Sequence, residues 1–292
     1  MKIGLIDVDG HNFPNLALMK ISAWHKQRGH EVDWCNRLEQ YDRVYKSKVF
    51  DFTPDDKTVI QAQTITQGGT GYGLDNKLPA EIESIYPDYK LYPQYKEAYG
   101  FLTRGCPRQC NFCIVSKKEG TYSTKVADLR NFWNGQKEIK LLDPNLLACT
   151  GWKELLQQLI DSKAWVDFTQ GLDIRLMTDE KANMLNQVKA KMIHFAWDNY
   201  EFKTYEALKK FRPLIDLDFR RLRVYVLTNF NTTHEQDLER IYKLKELNYD
   251  PYVMVYDKQN APKQTRQMQR WVNNKFIFRV TERFEDYDSK LG

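Results

Sequence analysis

Arg104-Gly105-Cys106-Pro107-Arg108-Gln109-Cys110-Asn111-Phe112-Cys113 carries three of the chain's five cysteines, spaced C-x-x-x-C-x-x-C. Three thiolates on one short loop can hold three corners of a cubane 4Fe–4S cluster, for which cysteine is the usual ligand. An electron-transfer cluster normally has four protein ligands. Three leave one iron open, and an open coordination site is what a metal centre needs to bind a substrate. The competing assignment is structural zinc, which takes four ligands. Cys149 is a candidate fourth, but no C-x-x-C or H-x-x-x-H partner accompanies it.

The spacing, with the aromatic Phe112 just before the last cysteine, resembles the radical S-adenosylmethionine (SAM) superfamily. The resemblance implies that Cys106, Cys110 and Cys113 hold the cluster and that its open iron chelates the amino and carboxylate groups of SAM. One electron then cleaves the sulfonium, leaving methionine and a 5′-deoxyadenosyl radical that abstracts hydrogen from a substrate. An external reductant, flavodoxin or ferredoxin, is implied with it.

Composition sets the frame. The chain has 292 residues, 42% hydrophobic and 28% charged, an ordinary globular balance with room for one large core or two domains. It contains no apolar run of the roughly 18 residues that a membrane span requires. Asp7 interrupts the opening apolar stretch too early for a signal peptide. Five cysteines, three of them clustered, do not read as a disulfide framework, so a cytoplasmic protein is expected. The net charge of +5 permits an anionic partner without arguing for nucleic acid.

Residues 2–7 read as a strand. Asn12 suits a helix cap, with Pro14 in the first turn. Ala17, Leu18, Ile21 and Trp24 recur at helical spacing until Gly29, and Glu31 to Cys35 alternates as a second strand. This β-α-β opening suggests a doubly wound, Rossmann-like α/β domain. Further strands are expected at 48–52 and 64–67, the latter running into Gly68-Gly69-Thr70-Gly71-Tyr72-Gly73.

Asp9-Gly10-His11 and Gly68-Gly69 resemble parts of the cobalamin-binding motif, and the resemblance implies cobalamin as a further cofactor. Pro14 stands where that motif has glycine. His11 is equally readable as a loop histidine, and the glycines as a turn. Leu78-Pro79, Tyr86-Pro87 and Tyr92-Pro93 then form an extended linker, placing a domain boundary near residue 95.

From residue 96 to 292 the pattern alternates. Strands are expected at 99–103, 138–142, 165–169, 192–196, 223–227 and 251–256. Helices are expected at 122–133, 151–162, 178–189, 201–213, 234–246 and 262–272. Periodicity alone says α/β with a parallel sheet; the family resemblance implies a partial (β/α)6 barrel. Chemistry in such barrels gathers at the C-terminal ends of the strands.

Polar residues at those ends are the site candidates. By the resemblance, Asp143 would receive the SAM ammonium; alternatively Asp143-Pro144-Asn145 is a turn. Arg175 suits the SAM carboxylate, and Asp173 or Gln170 the ribose hydroxyls; alternatively Asp173 and Arg175 are a surface ion pair. Asn229 and Phe112 are candidates for the adenine, with Phe112 also readable as a core aromatic. Cys149 and Cys35 read as small hydrophobes.

Residues 264–279 mix Arg266, Arg270, Trp271 and Lys275, a composition that can grip nucleic acid or can pack its tryptophan and solvate its charges. The tRNA methylthiotransferases resemble the chain in the cysteine loop, but they carry a second cluster. Cys35, alone in the N-terminal part, cannot hold one. The expectation is a radical SAM enzyme with an unnamed substrate, performing methyl transfer or another C–H modification. The rival is a non-catalytic iron–sulfur or zinc protein that binds nucleic acid or passes electrons.

Overall fold

The computed structural model describes residues 1–10 and 13–290. The expectations for His11 and Asn12 therefore lie outside the described residues. The fold is α/β, built on two separate parallel sheets.

The first sheet has the order β2-β1-β3-β4, formed by β1 (Lys2–Asp7), β2 (Glu31–Trp34), β3 (Gln40–Ser47) and β4 (Gln61–Gly68). All its pairings are parallel. Helix α1 (Leu16–Gln27) returns the chain from β1 to β2. Its cap is Asn15, whose side chain accepts from the Leu18 N–H at 3.2 Å. Pro14 thus precedes the cap and is not in the first turn. Leu18, Met19 and Ile21 bury one face of α1 against Ile3, Leu5 and Val32.

The strand expected at 48–52 does not form; β3 ends at Ser47 and a turn follows. The true third strand reads Gln-Tyr-Asp-Arg-Val-Tyr-Lys-Ser, too polar to announce itself. It is held by partners on both sides, and Lys46 is buried there against Asp55 at 2.8 Å.

The linker holds the short helix α2 (Ala80–Glu83). Tyr89, Leu91, Tyr92 and Tyr95 pack on the first core. Tyr89 also touches the second core, so the two cores meet along this segment.

The second sheet has the order β12-β11-β10-β9-β8-β5 and is entirely parallel. Its strands are β5 (Ala98–Gly100), β8 (Glu138–Leu141), β9 (Trp165–Phe168), β10 (Ala190–Ala196), β11 (Leu222–Thr228) and β12 (Asp250–Val255). The sheet is not closed. Between β5 and β8 lies an antiparallel ribbon of β6 (Thr103–Arg104) and β7 (Thr124–Lys125), with helix α3 (Val115–Glu119) between its strands.

The helix expected at 122–133 is absent. Thr124 and Lys125 pair back on β6, and Asp128 and Asn131 cap a single tight turn at Leu129–Asn131. Ser, Thr, Asp and Asn side chains compete with helical backbone bonds, which is why the apolar spacing misled here.

The remaining helices are α4 (Trp152–Ser162), α5 (Asp179–Gln187), α6 (Phe202–Phe211), α7 (His234–Glu246), α8 (Lys263–Asn273) and α9 (Lys275–Val280). Alternate strand residues Ile139, Val166, Ile193 and Val224 pack with Leu155, Leu159, Leu185 and Leu208 in the largest core. Each fully buried leucine there contributes about 2 kcal/mol. No described helix is long and apolar enough to cross a membrane.

Candidate functional site

The three clustered cysteines lie on the loop that the β6–β7 ribbon closes, past the C-terminal end of β5. The closure is tight. Gly105 has φ +86° and would place a Cβ 2.0 Å from the Tyr122 carbonyl oxygen, so only glycine fits. Cys106 donates its N–H to the Gly120 carbonyl at 3.1 Å, and Arg104 pairs with Glu119 at 2.7 Å. Gln109 takes a left-handed φ of 49° between the first two cysteines.

Cys106, Cys110 and Cys113 are all half-buried. Burial pushes the Cys110 and Cys113 thiols up, and the neighbouring cysteines and Asp198 add to the rise. Asn145 is buried and donates its amide to the Cys106 sulfur at 3.5 Å, while its Oδ1 is buried with no hydrogen-bond partner among the described residues. Among the described residues, no three His, Cys, Asp or Glu side chains converge as ligands of one metal ion.

Two carboxylates fasten this loop to the sheet. Asp143, just past β8, accepts from the Leu102 N–H (3.0 Å), the Thr103 N–H (2.6 Å) and the Thr103 hydroxyl (2.7 Å). Its carboxyl is completely buried, and burial pushes it up to about 6 against those hydrogen bonds. It therefore anchors the chain entering the cysteine loop, a contact that occupies both of its oxygens.

Asp173, past β9, accepts from Arg108 inside the cysteine loop and from Arg175 Nε at 2.8 Å. Burial disfavours its charge, but Arg175 and Arg108 outweigh burial and hold the carboxyl below its usual range. Asp173 is only 6% exposed, so the Asp173–Arg175 pair is not a surface pair. Arg175 keeps one-quarter of its side chain open and lies close enough to Cys110 to feel its charge.

Gln170 is exposed beside Gly171 and makes no hydrogen bond among the described residues. Asn229 adopts a left-handed φ of 61° and donates to the Tyr256 carbonyl at 2.8 Å, tying the ends of β11 and β12. The Phe112 ring meets Phe230 edge-on at 5.5 Å, and Phe230 meets Tyr256 at 4.9 Å. The structure thus brings the cysteine loop over the ends of β9 and β11. Cys149 is buried in the hydrophobic core, as a small hydrophobe would be. Trp271 is fully buried and donates to the Thr281 carbonyl, so it cannot stack on a base.

Arg108 and Arg240 escaped the sequence reading, whereas Asp198 stands in it as one of the polar residues that end the strands and face substrate or seal the barrel. Arg108 was hidden as a spacer inside the cysteine motif. Asp198 is pushed up to about 6 by burial despite Arg240 and Arg175, and it faces the cysteines electrostatically. Arg240 is fully buried, donating to the Trp197, Asp198 and Leu227 carbonyls and to Asp237. It pins the loops after β10 and β11 to α7. Its place on a polar-looking helix gave no signal.

No family model matches the chain, and no curated protein matches it.

Proposed function

We propose that the chain is a radical SAM enzyme of the kind its cysteine spacing resembles, with the open six-stranded sheet as a partial barrel. The observation that carries the reading is the placement of the three-thiol loop across the C-terminal ends of parallel strands, fastened there by Asp143 and Asp173. That is where barrels of this class assemble their chemistry.

The donor set fits an iron–sulfur cluster. Thiolates are soft ligands, and a zinc ion would need its donors gathered about 2.3 Å from one point, whereas a cubane spreads three sulfurs over three irons. The Asn145 amide on Cys106 is the type of contact that tunes a cluster through its sulfurs. Cys106, Cys110 and Cys113 would hold the cluster. When bound, it supplies one-electron reductive cleavage of SAM.

This chain's own residues do the positioning. Arg175, already held by Asp173, presents guanidinium N–H groups to a carboxylate beside Cys110. Phe112, Phe230 and Tyr256 form an aromatic edge suited to a nucleobase and excluding water from it. Asp143 acts on the loop and not on the ligand. The N-terminal sheet fits a degenerate cobalamin-type module, and flavodoxin or ferredoxin would serve as reductant.

Anaerobic reconstitution with iron and sulfide, then dithionite and SAM, tests the reading. The expected product is 5′-deoxyadenosine, absent when the three cysteines are replaced by alanine. A stoichiometric zinc content with no iron uptake would overturn it.

A further inference from the structure

Parallel sheets leave two open edges each, and unpaired edges recruit other strands unless they are guarded. Three of the four edges in the two large sheets are guarded. On β12, Asn273 mimics a strand: its Oδ1 accepts from the Val253 N–H at 2.8 Å and its Nδ2 donates to the Val253 carbonyl at 3.0 Å. On β5, the Tyr89 hydroxyl accepts from the Tyr99 N–H at 3.0 Å. Edge β2 is four residues long and carries Glu31 and Asp33.

Edge β4 has none of these devices. It runs for eight residues, Gln61-Ala-Gln-Thr-Ile-Thr-Gln-Gly68, with no charge and no proline. Six of those residues are exposed, and Ile65 is 50% exposed. Among the described residues, its outward backbone groups meet no side chain or loop.

The order of its side chains says what fits it. Gln63-Thr64-Ile65-Thr66-Gln67 reads the same in both directions. We propose that β4 pairs antiparallel with β4 of a second copy of this chain, about a two-fold axis through Ile65, joining two four-stranded sheets into one. In that register Ile65 faces Ile65, Thr64 faces Thr66 and Gln63 faces Gln67. Each residue meets its own kind, and the contacts repeat reciprocally about the axis, as in any isologous interface. Thr–Thr and β-branched pairs are favourable across antiparallel strands, and no like charges oppose one another. The pairing closes as a dimer, because the other edge of the joined sheet is the charged β2 on both sides. It does not depend on the cysteine loop or its chemistry.

Sedimentation equilibrium of the full chain across a concentration series tests this, comparing the native sequence with Ile65→Lys and with Leu38→Lys. Leu38 is 91% exposed and outside β4, so its variant is a control for added charge. The native chain and the Leu38 variant should reach twice the 34.7-kDa mass. Ile65→Lys sets two ammonium groups against each other at the axis and should weaken association by about tenfold or more. Its circular dichroism spectrum should stay native, because the side chain is half in solvent and the fold of each copy does not rest on it.

In Ile65→Cys, residues facing across an antiparallel pair lie about 4.5–5.5 Å apart at Cα, within disulfide reach. Mild oxidation should link two copies in that variant and not in the native chain. A native chain that stays monomeric, a dimer indifferent to Ile65→Lys, equal weakening by Leu38→Lys, or open-ended growth beyond the dimer would each overturn the proposal.

Discussion

Asp173, past the end of one parallel strand, accepts a hydrogen bond from Arg108, which lies 65 residues earlier between the first two clustered cysteines. The carboxylate is buried and the guanidinium one-third exposed, so most of the cost of breaking the pair falls on Asp173 and its surroundings. Asp173→Ala removes charge-assisted bonds to two arginines. The expected loss is about 2 kcal/mol in urea denaturation of the metal-free protein. The same variant should retain less iron after anaerobic reconstitution, because the loop loses its tie to the sheet. Unchanged stability and iron content would mean that the tie is incidental.

Asp143 makes a different demand. Its two oxygens take N–H groups from consecutive residues, Leu102 and Thr103. Asp143→Asn turns one acceptor into a donor facing a donor, which should cost about 1–3 kcal/mol at neutral pH. The pH dependence follows from the raised carboxyl. A folded value of about 6 against 3.8 unfolded means that the folded chain holds the proton more tightly. That stability is fully present below pH 3.8 and is lost as pH rises through 6. The asparagine variant lacks it, so its deficit against the native chain should be larger at pH 4 than at pH 7. A deficit independent of pH would count against the burial argument.

These two carboxylates show where the sequence was informative. Both were candidates because they follow apolar strands, and five of the six helices anticipated after residue 96 formed close to their expected positions. Apolar residues at regular spacing state their own burial, so alternating strands and helices are legible. Hydrogen-bond partners are not. Asp143 meets backbone 40 and 41 residues away, and no local pattern encodes such a meeting. Strand β3 was passed over for the same reason: its polar residues gain their structure from β1 and β4, not from their own periodicity. The segment at 122–133 failed in reverse, with helical spacing overruled by side chains that bond the backbone locally.

His194 sets an acid limit on the fold. The ring is 5% exposed, stacks on Tyr225 at 5.1 Å and bonds the Phe168 carbonyl through Nδ1 at 3.1 Å. Burial, then Arg223, pushes it down to about 4 from 6.5. The stability of a neutral buried imidazole is present above pH 6.5 and is lost as pH falls through 4. At 1.36 kcal/mol per unit this amounts to about 3 kcal/mol. Chemical denaturation from pH 7 to pH 4 should show His194→Gln losing less stability than the native chain over that interval. Asp143 changes stability in the opposite direction over much of the same range, so the comparison must be between native chain and variant at each pH. Parallel curves would show that His194 takes up its proton without strain.

Gly105 gives the sharpest test of how the cysteine loop closes. Its φ of +86° strains any residue with a Cβ, and the Tyr122 carbonyl blocks the space where that atom would stand. Backbone lies on the other side of the clash, so no side-chain rotation relieves it. Gly105→Ala should therefore part the β6–β7 ribbon while leaving the cores, which pack elsewhere, intact. The expected signature is new protease cleavage between residues 104 and 124 with a nearly native circular dichroism spectrum. A local strain of about 1–3 kcal/mol is enough to open a ribbon with two residues on each side. Iron uptake should fall in step with cleavage, because Cys106 is the next residue and is held by the Gly120 carbonyl on the far side of the closure. If the alanine chain resists protease as the native chain does, the loop has another way of closing and Gly105 is not its pivot.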